Sequence, residues 1–252
     1  LVFCEDEDVL GVPFYLMERV EGIILRKEMP EAMTPAPELT ARITATLVGS
    51  LAELHAVDYE AAGLGELGRP EGYVRRQVEG WAKRYVRSQT DDVREMDLLG
   101  NWLLDSMPPE SGAALIHNDF KHDNVVLDGD DWSRLIAVLD WEMVTLGPRA
   151  LDVSWLLFAH QVFESIVGML ELPGMPHFLR EEDVVATYAE RTGVTLGDLD
   201  WYHVYNGLQW CIVFMRTGAR QVHFGEIEMP ADIESLFHCK PLLESILAKV
   251  GA

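Results

Sequence analysis

Leu115–Glu142 reads LIHNDFKHDNVVLDGDDWSRLIAVLDWE and places acids, amides and histidines between short runs of branched apolar residues. Apolar runs of this length, bounded by turn-forming residues, predict buried strands. We expect three of them, at Ala113–Ile116, Asn124–Leu127 and Leu135–Leu139. The residues between the last two strands, Asp128–Asp131, are typical of a turn, so we interpret their charge as solvated turn chemistry. The stretch therefore predicts a small β insert with acidic loops.

Three polar residues of this stretch stand apart from the turn: Asp119, Asn124 and Asp140. Each lies at a strand end or in a tight loop, where its side chain can converge with the others on one point. Carboxylate and carboxamide oxygens are hard ligands that suit Mg²⁺. A zinc site on the H-x-D-x-x-H spacing that begins at His117 is disfavoured, because this is not a standard structural zinc pattern and no cysteine lies nearby.

The composition of the 252-residue chain limits the functions open to it. A formal net charge of −22 argues against nucleic-acid binding, since a phosphate-binding surface needs a basic face. No apolar run approaches the roughly 18 residues of a transmembrane helix, so we expect no membrane partner. The three cysteines are far apart and favour neither a disulfide framework nor a zinc knuckle, which predicts a reducing cytoplasm. They are Cys4, Cys211 and Cys239.

Most of the remaining chain has helical periodicity. Apolar residues recur at spacings of three and four in segments that end at Gly or Pro, which predicts amphipathic helices. The first three predicted helices are Pro37–Val57, Tyr73–Ser88 and Val93–Met107. Four more follow the β insert, in ALDVSWLLFAHQVF, EEDVVATYAERTG with Gly193 as its C-terminal cap, LDWYHVYNGLQWCIVFMRTGAR and ADIESLFHCKPLLESILAKV. A strand, an acidic turn and a second strand precede them, so the fold class is α+β.

The acidic stretch resembles the active site of kinases. His117–Asn124 fits the catalytic loop H-x-D-x-x-x-x-N, and Asp140-Trp141-Glu142 stands where kinases carry the metal-binding D-F-G triplet. The chain is similar, over about residues 1–225, to the aminoglycoside phosphotransferase and choline kinase superfamily, which has the protein-kinase-like fold. Within it, the run HNDFKHDN, VLDWEMVTLG and the WYHVYNGLQW helix look most like the branch related to phosphotransferase domains that precede acyl-CoA dehydrogenases.

The resemblance implies a role for each residue of the loop. Asp119 would orient the attacking hydroxyl and accept its proton, while Asn124 and Asp140 would hold Mg²⁺ on the nucleotide phosphates. Lys121 stands where many kinases have a phosphate-facing lysine, and a solvated lysine is an equally open interpretation. His117 would orient the loop rather than act as a base.

The same resemblance places the nucleotide base and divides the chain. Met17, Glu18 and Val20 follow a predicted strand and match the kinase hinge, which would bind the adenine of ATP, with GTP as the alternative nucleotide. Residues 1–21 would then end the amino-terminal lobe, and 22–252 would form a mostly helical carboxy-terminal lobe with the catalytic loop and the acceptor-binding helices. We expect the glycine-rich loop and the phosphate-binding lysine upstream of Leu1, so the 252-residue chain should transfer phosphate poorly.

The implied function is ATP- and Mg²⁺-dependent transfer of phosphate to a small-molecule hydroxyl, on an aminoglycoside-like or hydroxyacyl metabolite. A protein acceptor is disfavoured because Trp141–Arg149 is too short for a protein-kinase activation segment. Asp152 matches the last Asp of the family's G-D-P-x-x-D pattern and would brace the catalytic loop, although the first Asp is missing here.

Two alternatives stay open, as does the oligomeric state. A choline or ethanolamine kinase is one, since aromatic side chains can cage a quaternary ammonium ion, although helical spacing favours a core role for them. The aromatic residues in question are Trp201, Tyr202, Tyr205 and Trp210. A nucleotide-binding pseudokinase without catalysis is the other.

Overall fold

The structure is a computed structural model that describes residues 2–26, 33, 35–88, 94–169, 171, 174–228, 230 and 240–251. The predicted helix start at Val93, the predicted helical residues 231–239 and Cys239 therefore lie outside the described residues. Within the described ranges, no helix is both long enough and apolar enough to span a bilayer.

The chain opens with a β-hairpin. Strand β1 (Val2–Cys4) pairs antiparallel with β2 (Phe14–Leu16). The acidic segment between them, predicted as a turn, forms a one-turn helix, α1 (Glu7–Leu10). Local chemistry explains the difference: an Asp6 side-chain oxygen accepts a hydrogen bond from the Asp8 amide at the start of the turn, and Gly11 ends it with φ of 81°.

Seven longer helices occupy most of the described chain, close to the predicted segments. They are α2 (Pro37–His55), α3 (Tyr73–Ser88), α4 (Arg94–Asp105), α5 (Arg149–Met169), α6 (Glu181–Thr192), α7 (Asp200–His223) and α8 (Lys240–Val250). Helix α2 starts with a proline, whose missing N–H is harmless there, and its Ile43, Leu47 and Leu51 are fully buried. The predicted cap at Gly193 is confirmed, because this residue ends α6 with φ of 68°.

The β insert forms two separate antiparallel ribbons. Strand β3 (Ala114–Ile116) pairs with β6 (Thr145–Gly147), and β4 (Val125–Leu127) pairs with β5 (Leu135–Val138). Strand β6 was not predicted, because Thr145-Leu146-Gly147 contains no run of apolar residues. The turn between β4 and β5 is confirmed, since an Asp128 carboxylate oxygen accepts hydrogen bonds from the Asp130 and Asp131 amides.

The hydrophobic core joins the helices behind these ribbons. Helix α5 packs on α7, and α2 packs on α6. Three of the proposed cage aromatics, Trp201, Tyr202 and Tyr205, belong to this core, with at most 7% of their surface exposed. The Trp201 and Tyr205 rings stack with centroids 5.8 Å apart, and Trp201 Nε1 donates to the Leu103 carbonyl at 3.2 Å. Helical spacing therefore correctly favoured a core role for these three side chains.

The amino-terminal segment meets the helical body at Ile23. The Ile23 amide donates to the Leu127 carbonyl at 2.8 Å, and the Leu127 amide donates back at 2.7 Å. This bridge pairs Ile23 with the edge of β4 that faces away from β5. Gly22 is required beside it, because a Cβ there would collide with the Leu127 carbonyl oxygen and lie 2.6 Å from Val126 Cγ1.

Candidate active site

The predicted catalytic loop, residues 117–124, links the two ribbons and is called the HND loop below. It begins after β3, which is buried along its length, and ends where β4 begins. His117 is completely buried, and its Nε2 donates to the Leu139 carbonyl at 2.9 Å. Its Nδ1 then accepts the Asp119 amide at 3.3 Å. These contacts tie the loop to the end of β5, as expected of an orienting residue.

Asp152, in the first turn of α5, holds the start of the HND loop. Its carboxylate is fully buried and accepts the amides of His117 and Asn118, each at 2.7 Å. Asn118 has φ of 65°, a left-handed conformation that costs free energy outside glycine. The two charge-assisted hydrogen bonds stabilise this conformation. The predicted bracing role of Asp152 is confirmed by these contacts.

A buried histidine on α2 completes the brace. His55 Nε2 lies 3.2 Å from Asp152 Oδ2, the oxygen that also accepts the His117 amide. His55 Nδ1 lies 2.7 Å from the Tyr188 hydroxyl. Burial raises the pKa of the Tyr188 hydroxyl to about 12. Because a carboxylate only accepts hydrogen bonds, His55 Nε2 is the donor to Asp152.

The Asp119 carboxylate is held by three donors. Trp155 Nε1 donates to one oxygen at 2.9 Å, while Lys121 Nζ and Asn124 Nδ2 reach the other at 2.5 and 2.8 Å. The side chain keeps 21% of its surface exposed, so a substrate hydroxyl can still approach. Lys121 is 15% exposed and paired with Asp119, so the interpretation of this residue as a solvated lysine is wrong.

Trp155 was missed in the sequence. It lies on α5 three residues after Asp152, and positions three apart share a helix face. The D-x-x-W spacing was therefore the available signal, once Asp152 was placed behind the loop.

Asn124 lies opposite Leu139, the residue before Asp140, at one end of the β4–β5 ribbon. The Leu139 amide donates to the Asn124 carbonyl at 2.8 Å, and Val125 pairs with Val138. Because Asn124 Nδ2 donates hydrogen bonds to Asp119, the Asn124 carboxamide oxygen remains available as an acceptor. Asp140 is exposed with φ of 65°. One carboxylate and one amide oxygen match the sites where Mg²⁺ takes its other ligands from water and substrate phosphates.

Asn124 and Asp140 are too few ligands to complete the coordination shell of a metal ion. Among the described residues, no group of three His, Cys, Asp or Glu side chains is placed to hold an ion. Phosphate oxygens and water would have to complete the shell. The metal-binding roles of Asn124 and Asp140, and the catalytic roles of His117, Asp119 and Lys121, stay predictions.

The predicted hinge precedes Ile23, which joins the other end of the same ribbon. Met17, Glu18 and Val20 are exposed and lie between β2 and the Ile23 bridge to Leu127. Leu127 is three residues along β4 from Asn124, which corresponds to roughly 10 Å of extended strand. The structure brings no hinge side chain into contact with the HND loop, so their nucleotide-binding role stays a prediction.

An aromatic wall stands beside Asp119. It consists of Trp155, Trp210 and Phe214, with ring centroids 5.8 Å apart for the two tryptophans and 5.3 Å for Trp210 and Phe214. The Trp210 Nε1 has no hydrogen-bond partner in the described part of the chain. Trp210 is thus the one proposed cage residue that lies next to the site, and it does so without the three others.

Comparisons with known proteins agree with this geometry. The chain is 33% identical over 209 residues to acyl-CoA dehydrogenase family member 11 of Rattus norvegicus, covering 80% of this chain and 26% of the relative. It is 34% identical over 160 residues to family member 10 of Mus musculus, covering 64% and 15%. The chain thus spans about a quarter or less of these relatives.

Solved structures show the same fold. A Ralstonia eutropha protein assigned to the aminoglycoside phosphotransferases superposes with a TM-score of 0.74 and 28% identity, covering 97% of this chain and 74% of that one. Choline kinase of Cryptosporidium parvum superposes with a TM-score of 0.57 at 12% identity, covering 93% and 71%. The predicted protein-kinase-like fold and the resemblance are both confirmed. Because the profile of the phosphotransferase enzyme family also matches residues 1–190, the chain belongs to that family.

Proposed function

We propose that the protein transfers the γ-phosphate of ATP to a hydroxyl group of a small molecule in a Mg²⁺-dependent reaction. The observation that carries the proposal is the Asp119 carboxylate, held by Trp155 and Asn124 next to the Asn124–Asp140 pair. A fixed carboxylate beside two hard oxygen ligands is the arrangement that phosphoryl transfer requires.

The roles follow from this geometry. The acceptor hydroxyl donates a hydrogen bond to Asp119 and its oxygen attacks the γ-phosphorus, so that a new P–O bond forms while the bond to the β-phosphate oxygen breaks. The hydroxyl proton passes to Asp119, and ADP leaves. Trp155 and Asn124 keep the carboxylate from rotating, and Lys121, 2.5 Å from it, supplies positive charge where the transferred group passes. Bound Mg²⁺ would neutralise phosphate charge at Asn124 and Asp140.

The nucleotide would extend along the β4–β5 ribbon. Its phosphates belong at Asn124 and Asp140, and its base belongs at the hinge residues Met17, Glu18 and Val20, near the Ile23 bridge. Leu127, where the Ile23 bridge joins the ribbon, is roughly 10 Å of extended strand from Asn124, and the nucleotide would run along this strand. ATP is our first choice, and competition with GTP tests the preference.

The aromatic wall supports an acceptor with an apolar portion. Trp155, Trp210 and Phe214 offer a stacking and packing surface beside the proton acceptor. A hydroxyacyl metabolite meets this requirement, and the relatives are named for acyl-CoA dehydrogenation. An aminoglycoside-like acceptor is tested in parallel because of the Ralstonia eutropha neighbour. The choline alternative loses its main support, since three of the four cage aromatics are buried in the core.

Partners and location follow the sequence. The net charge of −22 supports a protein that binds neither nucleic acid nor a membrane surface. We place it in the cytoplasm, and fractionation of cells tests this.

The test compares Asp119→Asn with Asp130→Asn in the complete translated protein. Asp130 lies at the exposed tip of the β4–β5 turn and serves as the matched control. We expect Asp119→Asn to lower ADP release by about 10²–10⁴-fold, the usual contribution of a general base, with ATP affinity unchanged. Asp130→Asn should behave as the parent.

Two results would contradict the proposal. Unchanged turnover in Asp119→Asn would remove Asp119 from the mechanism. ATP binding without turnover of any acceptor in the parent protein would favour the pseudokinase alternative.

A further inference from the structure

A cavity lies behind the HND loop, on the far side of Asp152. It has a volume of about 330 Å³, is open to solvent on one side, and is lined by the end of α2, the start of α5 and the end of α6. This volume is at the lower end of the ~300–1,000 Å³ typical of small-molecule sites. Its polar lining includes Glu53, His55, Arg149 and Arg191. We call it the α2–α5–α6 cavity.

Two arginines and one glutamate line the cavity, and the buried Asp152 carboxylate lies behind the lining residue His55. Neither Arg149 nor Arg191 forms an ion pair with a described carboxylate, which would require an N–O distance of 4 Å or less. Glu53 lines the same space. Arg149 is the first residue of the 21-residue helix α5, where the helix dipole disfavours a cation. The Arg191 guanidinium lies over Gly49 of α2, whose added Cβ would be 4.0 Å from the Arg191 Cζ. Both arginines thus line this space without a described carboxylate partner, Arg149 partly buried and Arg191 exposed.

The electrostatics of the whole chain make this local charge informative. A net charge of −22 repels anions from the surface in general. An anion that binds this protein therefore needs a site where cations are concentrated. Arginine suits phosphate in particular, because its planar fork of N–H donors matches the phosphate oxygens.

The floor of the cavity is connected to the HND loop. His55 lines the cavity and also donates through Nε2 toward Asp152, whose carboxylate accepts the His117 and Asn118 amides. A ligand in contact with His55 is separated from the loop backbone by one buried carboxylate.

We propose that the α2–α5–α6 cavity binds a small phosphate ester that also carries hydroxyl groups. Arg149 and Arg191 bind the phosphate, and the Glu53 carboxylate accepts hydrogen bonds from the hydroxyls. The site is distinct from the HND loop, and its occupancy is measurable without any phosphoryl transfer, so it does not depend on the proposed function.

The experiment titrates the protein with two probes, glucose 6-phosphate and inorganic phosphate, in Mg²⁺-free buffer at constant ionic strength. Methyl NMR follows Ala52 and Val194, which line the cavity, and Val125 and Val126, which follow the HND loop. We expect saturable shifts at Ala52 and Val194 with both probes, and tighter binding of the ester.

Three variants assign the binding. The double variant Arg149→Gln/Arg191→Gln should weaken both probes at least tenfold. Arg180→Gln is the matched control, because Arg180 lies at the opposite end of α6 and pairs with Asp183. Glu53→Gln should weaken the ester alone, since inorganic phosphate gains from losing the nearby negative charge.

The outcomes separate clearly. Loss of binding in the double variant with retention in Arg180→Gln supports the proposal. Shifts confined to Val125 and Val126, equal affinity of parent and double variant, or no saturable shift at Ala52 and Val194 would each overturn it. Equal affinity for the two probes would overturn the assignment to an ester.

Discussion

Asp152→Asn tests the brace behind the HND loop. The parent carboxylate is fully buried and accepts three hydrogen bonds, from the amides of His117 and Asn118 and from His55. In the variant, one oxygen can keep the His117 and His55 bonds, but the new NH₂ group then faces the Asn118 amide, donor against donor. Losing a hydrogen bond to a charged group costs about 1.5–3 kcal/mol, and the two retained bonds weaken because their acceptor is neutral.

The expected loss in free energy of unfolding is about 3–5 kcal/mol, a large part of the ~5–15 kcal/mol that stabilises most domains. Urea unfolding at pH 7.5 measures it, and hydrogen exchange of the Asn118 amide should accelerate. Asp183→Asn, a partly exposed acid on α6, is the control and should cost less than about 1 kcal/mol. A loss below 1 kcal/mol in Asp152→Asn would show that these hydrogen bonds do not hold the loop.

Three further predictions concern the ribbon, the site and the core. Gly22→Ala should destabilise the protein by about 1–3 kcal/mol in urea unfolding, because the new methyl collides with the Leu127 carbonyl oxygen. Gly129→Ala, with open space around it, should be neutral. Equal stability of the two variants would argue against the Ile23 bridge. Trp155→Phe removes the hydrogen-bond donor to Asp119 and should lower kcat about tenfold. Trp132→Phe, in the exposed turn, should leave kcat unchanged. A parent-like kcat in Trp155→Phe would show that this hydrogen bond does not affect turnover. Burial lowers the pKa of His203 from 6.5 to about 4, and the Glu181 carboxylate at 3.9 Å is too distant to offset it, so between these pH values only the unfolded chain binds the proton and stability falls as the pH drops. His203 should contribute about 2 kcal/mol to the loss between pH 7.5 and pH 5. His203→Gln should remove this contribution and leave that of buried His122, whose pKa is lowered to about 3, whereas His223→Gln, at an exposed histidine, should keep the whole loss. An unchanged pH dependence in His203→Gln would show that His203 does not titrate in this range.

The brace, the site and the α2–α5–α6 cavity share one element, the start of α5. Asp152 supports the HND loop, Trp155 holds Asp119, and Arg149 lines the cavity. These residues follow one another at intervals of three, so one face of the first two turns of α5 contacts the cavity, the loop and Asp119 in turn. His55, which lines the α2–α5–α6 cavity, is thus one hydrogen bond from the carboxylate that braces the loop.

Short-range patterns in the sequence determined much of this protein. The HND loop, Asp140, the turn at Asp128–Asp131 and the helix ends at Pro37 and Gly193 could be predicted, because each depends on residues close together in the chain. The resemblance to kinases added the brace at Asp152, which the structure confirms.

Only the tertiary structure decided which distant residues meet. Trp155 reaches Asp119 across 36 positions, and His55 reaches Asp152 across 97. Strand β6 became visible only through its pairing with β3, and the α2–α5–α6 cavity only through the packing of three helices. The physical reason is that periodicity shows which face of a helix is apolar, but not which element will cover it. Long-range hydrogen bonds and cavities depend on that choice of partner.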